Sequence, residues 1–201
     1  GGVAVTGPDL ALDTYKLPDN KYKLHACCHG LHPMIEALQA SEAATEVPLD
    51  DIRSFSLSTN PRWLAVCNIK RPRTGLEVKF SYNWLAGMTL RGDDTGDDRL
   101  FTDTIAGEAE LRRFAERISV TGDDELTDLQ ARGEISLTDG RAIPVWFDLA
   151  DPLAPDILAE KLKRKSSTII GEAGAAIWDL HPRLGQLGAR DIASTMLAAS
   201  T

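Results

Sequence analysis

The sequence predicts an α+β fold: an antiparallel sheet with helices on one face, followed by an all-helical C-terminal tail. Three observations carry that reading. In "RGEISLTDGRAIPVWFDL", Ile135 and Leu137 alternate before Asp139-Gly140, and Ile143, Val145 and Phe147 alternate after it. That pattern predicts a hairpin closed by a type I′ turn. Around 50–58, Phe55 and Leu57 alternate against serines, which predicts a further strand. After "DPLAP" the chain changes character and reads as helix to its end, with Ala189, Ile192, Ala193, Met196 and Leu197 on one face.

The elements follow in order. Residues 1–22 read as an irregular lead-in, broken by Pro8, Pro18 and Asn20. The α+β unit spans 23–150 and the helical tail 151–201. Leu31, Met34, Ile35 and Leu38 keep helical spacing behind Pro33, so a helix is expected from there to about Ala44. Residues 77–92 are helical in pattern, with Phe80, Trp84, Leu85 and Met88 on one face. Leu111, Phe114, Ala115 and Ile118 mark another helix, with Glu108 and Glu110 where its dipole favours acids. Pro144 suits an edge strand.

Composition narrows the function classes. A net charge of −8 is unsuited to a phosphate backbone. No run of eighteen apolar residues exists to span a membrane. The first residues lack the basic and apolar regions of a signal peptide, and three cysteines with two adjacent make no disulfide framework. A cytoplasmic protein with reduced thiols is the simplest expectation.

The stretch "KLHACCHGLHP" (23–33) concentrates three of the four histidines and two of the three cysteines. As a zinc site it is poorly built. His25, Cys27, Cys28, His29 and His32 fall within eight residues, adjacent side chains diverge, and Cys67 and His181 add no paired spacing. A redox motif would separate its cysteines by two residues. Small buried thiols are the ordinary alternative for at least one of them. His32, just before Pro33, instead places imidazole at a helix start, where free N–H groups favour an anion. Lys23 brings a cation to the same opening, and such a set suits a small carboxylate.

"YKLHACCHGLHPMIEAL" resembles the MmgE/PrpD family, which includes 2-methylcitrate dehydratase, cis-aconitate decarboxylase and iminodisuccinate epimerase. "VKFSYNWLAGMTLRG" and "LTDGRAI" are similar to the family's second segment and late hairpin, so the resemblance covers most of 15–200. It implies a lid domain plus helices that return to a larger helical body, whose N-terminal portion is not among these residues. Lys23 and His32 would then be the catalytic residues. Cys28 falls where decarboxylase-like members carry a catalytic His, with His25 and His29 nearest to it. Lys79 and Ser81 would join His25, Cys28 and His29 in binding substrate. The family chemistry implies no metal and no nicotinamide cofactor. Expected partners are a small polycarboxylate, a second copy in a homodimer, and the helical portion, without which no turnover is expected.

Two alternatives stand beside this lyase or isomerase: a non-catalytic binding or assembly module of the same fold, and a Cys/His metal-binding protein. "RGDDTGDDRLF" (91–101) lacks the register of a calcium loop and reads as solvated. The basic run "KLKRKS" reads as a solvated helix face or a contact to the helical portion. Trp63, Trp84, Trp146 and Trp178 are too scattered for a stacking platform and are expected in the core or at an interface.

Overall fold

The computed structural model describes residues 21–198. The expected lead-in, up to residue 20, and the last three residues of the expected tail lie outside them. The chain builds α1 (His32–Gln39), α2 (Glu42–Thr45), β1 (Ile52–Thr59), α3 (Pro61–Leu64), α4 (Gly75–Val78) and α5 (Tyr82–Leu90). It continues through α6 (Asp103–Ala106), α7 (Ala109–Ala115), β2 (Ile118–Gly122), β3 (Gln130–Leu137) and β4 (Ala142–Asp148). Three helices close it: α8 (Pro155–Ile170), α9 (Glu172–Trp178) and α10 (Ala189–Ala198). Among the described residues, no helix is long and apolar enough to cross a membrane.

The strands form one sheet in the order β2-β1-β3-β4. Period-two alternation puts Ile118, Phe55, Ile135 and Ile143 in a single row across all four strands, facing inward. Ser56, Ser119 and Glu134 face outward. Helix α1 packs across β3 and β4 and against α5, which packs on α7. The sheet is mixed, not antiparallel throughout, because β1 and β2 pair in parallel. The connection between them is long and helical, as a parallel pair requires. β4 lies at the sheet edge, where Pro144 costs no ladder bond.

Local chemistry explains the other departures from expectation. The hairpin does not turn through type I′, since among the described residues none but glycine has positive φ. Gly140 at φ 92° takes that conformation alone, its N–H bonds the Leu137 carbonyl at 3.2 Å, and three residues make the turn. The helix expected to reach Ala44 stops at Gln39 because Ser41 caps a new one, accepting from the Ala44 N–H at 3.3 Å. Ser81 likewise splits 77–92, accepting from the Trp84 N–H at 3.3 Å. Ile118 extends the periodicity of α7 but begins β2.

Most of the core lies between the sheet and α1, α5 and α7, with Trp84, Tyr82, Phe55 and Phe114 among its largest buried side chains. Trp146, on the outer sheet face, is half exposed. The helical tail is a different kind of structure. Neither α8 nor α10 contains a fully buried residue, and Gly174 is the buried position of α9.

Candidate functional site

The Cys/His stretch enters the fold as an extended segment pinned on both sides. The Ala26 N–H donates to the Thr95 carbonyl at 2.8 Å, and the Cys28 N–H to the Lys79 carbonyl at 2.9 Å. Alternation buries His25 and Cys27. A single 3-10 turn, His29–Leu31, then runs straight into α1. This moves the helical start. The capping position falls at Cys28, and the His32 N–H is already bonded to the His29 carbonyl, so His32 is not the N-cap. His32 takes part through its ring.

His25 is held at both nitrogens. Nδ1 lies 2.7 Å from the Thr95 hydroxyl and Nε2 lies 3.1 Å from Glu36 Oε1. Glu36 follows His32 by four residues, so the helical repeat puts both on the face of α1 that meets His25. The other Glu36 oxygen accepts from the Lys161 ammonium on α8. Burial alone would raise the Glu36 carboxyl, but the bonds from His25 and Lys161 outweigh it and hold it at about 2, below its ordinary 4.5. The carboxylate is ionised.

His32 is 1% exposed, and its Nε2 has no hydrogen-bond partner among the described residues. Its ring lies 4.9 Å from His25, edge-on at 75°, and 4.9 Å from His29, tilted by 45°. Burial pushes His32 down to about 3, and the nearby His25, His29 and Lys23 act in the same direction. At neutral pH it is an uncharged imidazole. His29, half buried, is also lowered, by burial and by the Lys23 charge. Lys23 is exposed, and its charge acts on His29, His32 and Cys27. The result is two neutral imidazoles that feel the charge of an exposed Lys23. In general an ammonium holds a carboxylate and a neutral imidazole accepts a proton, and here the half-buried His29 is the more accessible ring.

The remaining expected residues sit around this face in different ways. Cys28 is half buried and packs on the core, and Cys67 is fully buried. Burial and the bond to Cys28 push the Cys67 thiol up. Burial pushes Cys27 up to about 12, so it is an inert thiol at neutral pH. All three cysteines are free. Lys79 meets the segment through its carbonyl, while its ammonium stands 5.0 Å over the Phe101 ring. Ser81 is fully buried and its hydroxyl oxygen caps α5. Among the described residues, no three His, Cys, Asp or Glu side chains converge as a metal ion would need.

Sequence reasoning missed Glu36, Thr95 and Lys161. The loop 91–101 is not simply solvated: Thr95 and Gly96 are buried, and Lys165 donates to the Gly96 carbonyl at 2.9 Å. The basic run on α8 likewise faces inward in part, onto the α+β unit. These groups border a cavity of about 120 Å³ lined by His25, Glu36, Asp94, Gly96, Lys161 and Lys165 among others. Lys23, His32, Lys79 and Ser81 do not line it. The spacing of Glu36 from His32 was a usable signal. For Thr95 and Lys161 the sequence holds none.

A mixed four-stranded sheet under helices, with a helical C-terminal arm beside it, makes the chain an α+β domain. Residues 25–180 match the MmgE/PrpD C-terminal domain, and the chain belongs to the MmgE/PrpD family. A comparison with curated proteins finds no match.

Proposed function

We propose that the chain supplies the lid and C-terminal portion of a lyase or isomerase that acts on a small polycarboxylate, with 2-methylcitrate dehydratase as the nearest kind of reaction. The observation that supports this most is the buried His32 with its unpartnered Nε2, next to His29 and within reach of the Lys23 charge. Lys23 would hold a carboxylate and stabilise the negative charge that builds on it as the adjacent carbon loses its proton. His32 or His29 would move that proton. A base held at about 3 is weak, but the same burial that lowers it makes it responsive. A substrate carboxylate close to the ring favours imidazolium and returns its basicity toward neutral pH. Cys28, Lys79 and the His25 ring would border the bound substrate.

In this reading the opposite wall comes from a helical portion, the working enzyme is a cytoplasmic homodimer, and the lid by itself turns nothing over. The free thiols favour a reducing compartment, and exposed Ile157, Ile169 and Ile170 on α8 offer apolar surface for assembly. The test is steady-state turnover of polycarboxylates by the chain assembled with its helical portion. Lys23→Ala should lower the rate by on the order of a hundredfold, as loss of a positioned charge stabiliser does. Turnover within twofold of the parent would remove Lys23 from the mechanism.

A further inference from the structure

The geometry points to Lys161 as a positioning residue for the histidine face, acting through Glu36 and His25. The ammonium on α8 holds the carboxylate that holds the ring against which His32 rests. The role assigned here depends on the reading of Lys23 and His32 as the working face.

His25 is gripped from two sides, and both grips lead to the same helix. On one side Glu36 accepts from Nε2 at 3.1 Å and is itself held by Lys161. On the other, Thr95 meets Nδ1 at 2.7 Å, and its loop is tied to α8 at two further points. Lys165 donates to the Gly96 carbonyl at 2.9 Å, and the Thr168 hydroxyl donates to Asp94 at 3.2 Å. Residues 161, 165 and 168 are spaced by one helical turn each, so a single face of α8 carries all three contacts.

The arrangement selects one state of His25. An ionised carboxylate only accepts, so Nε2 carries a proton toward Glu36. Nδ1 then accepts from the Thr95 hydroxyl in the neutral ring. Orientation and tautomer are set together. With its Nε2 unpartnered, His32 takes its orientation from ring packing against His25 and His29. Without Lys161, the Glu36 side chain, 5% exposed, would keep a buried negative charge with one donor in place of two. It would then reorient or draw a second proton onto His25, and in either case the wall behind His32 moves.

The experiment is NMR of the full chain carrying ¹⁵N-histidine. The parent should show a single His25 tautomer with a slowly exchanging Nε2–H. Lys161→Met should speed that exchange roughly tenfold, mix the tautomers and shift the His32 resonances. Lys161→Arg should restore the parent pattern. Should the Met variant not fold, Lys161→Gln serves the same comparison. Parent-like His25 and His32 spectra in the folded Met or Gln variant would overturn the proposal. In the assembled enzyme the Met variant should lower kcat more than it raises KM, again with rescue by Arg. Altered spectra with unaltered kcat would leave the clamp standing and sink the catalytic reading of the face instead.

Discussion

The α+β unit and the helical arm of this protein are built on opposite principles. In the first, Phe55, Leu85, Met88 and Ile135 are fully buried, and one row of apolar side chains crosses every strand. In the second, Ile157, Ile169 and Ile170 stand about half exposed, and α8 makes polar contacts to the α+β unit through Lys161, Lys165 and Thr168. Both regions are amphipathic in sequence. The difference is that the α+β unit closes its apolar face on itself, whereas the arm turns Lys161, Lys165 and Thr168 inward. Stability therefore concentrates in one region and alignment of the site in the other.

The comparison is broken most severely from within the core. Trp84 is almost fully buried and its indole N–H donates to the Ile105 carbonyl at 3.1 Å. Trp84→Ala should cost about 4 kcal/mol, measured as a lowered urea midpoint. A loss under about 1 kcal/mol would mean that this core is not what holds the α+β unit together.

Acid attacks the junction of the two regions next. His32 is held at about 3 in the folded protein against an ordinary 6.5, so below that ordinary value the unfolded chain takes up a proton that the folded chain refuses. Stability should be fully present above pH 6.5 and fall by about 1.4 kcal/mol per pH unit as the pH drops toward 3. Glu36, held at about 2, adds a parallel loss below its ordinary 4.5. Chemical denaturation at stepped pH measures both. His32→Phe should flatten the curve between pH 6.5 and 4.5, and a flat parent curve in that window would contradict burial of a neutral His32.

Inside the arm, α8 and α9 meet tightly at Gly174, where an added Cβ would fall 2.7 Å from the Ser166 carbonyl. Gly174→Ala should cost about 1–3 kcal/mol locally. Hydrogen exchange should quicken in α8 and α9 and stay unchanged in β3 and β4. Equal quickening in the hairpin would show that the arm and the α+β unit unfold together. The smallest effect belongs to the exposed face: Ile169→Ala should change stability by less than about 0.5 kcal/mol. A cost above about 1.5 kcal/mol would show that this face is covered in solution.

Legibility in the sequence followed the range of the interactions. The hairpin was legible because its signal lies within sixteen residues of 132–147. β2 was not, because Ile118 sits at helical spacing from Leu111, Phe114 and Ala115, and only pairing with Phe55 makes it a strand. Ser41 and Ser81 are cap-forming residues, but apolar periodicity continues across them and hides the breaks they make. In the candidate site, the density of His and Lys near Pro33 is what marks the stretch in the sequence. The partners of His25 did not show, because Glu36 is 11 residues from it and Thr95 is 70. Lys161 lies 125 residues from Glu36.

By itself, then, the sequence determined what local physics controls: the α+β class, the turn at Gly140, the apolar faces and the clustering of imidazole beside Lys23. Each follows from dihedral preference or from periodicity over a few residues. Tertiary structure alone decided the parallel pairing of β1 with β2, the burial that makes His32 neutral, and the choice of Glu36 and Thr95 as holders of His25. It also decided that the basic run of α8 would turn partly inward. Desolvation and ion pairing depend on which distant groups share one small volume, and spacing along a chain does not encode that distance.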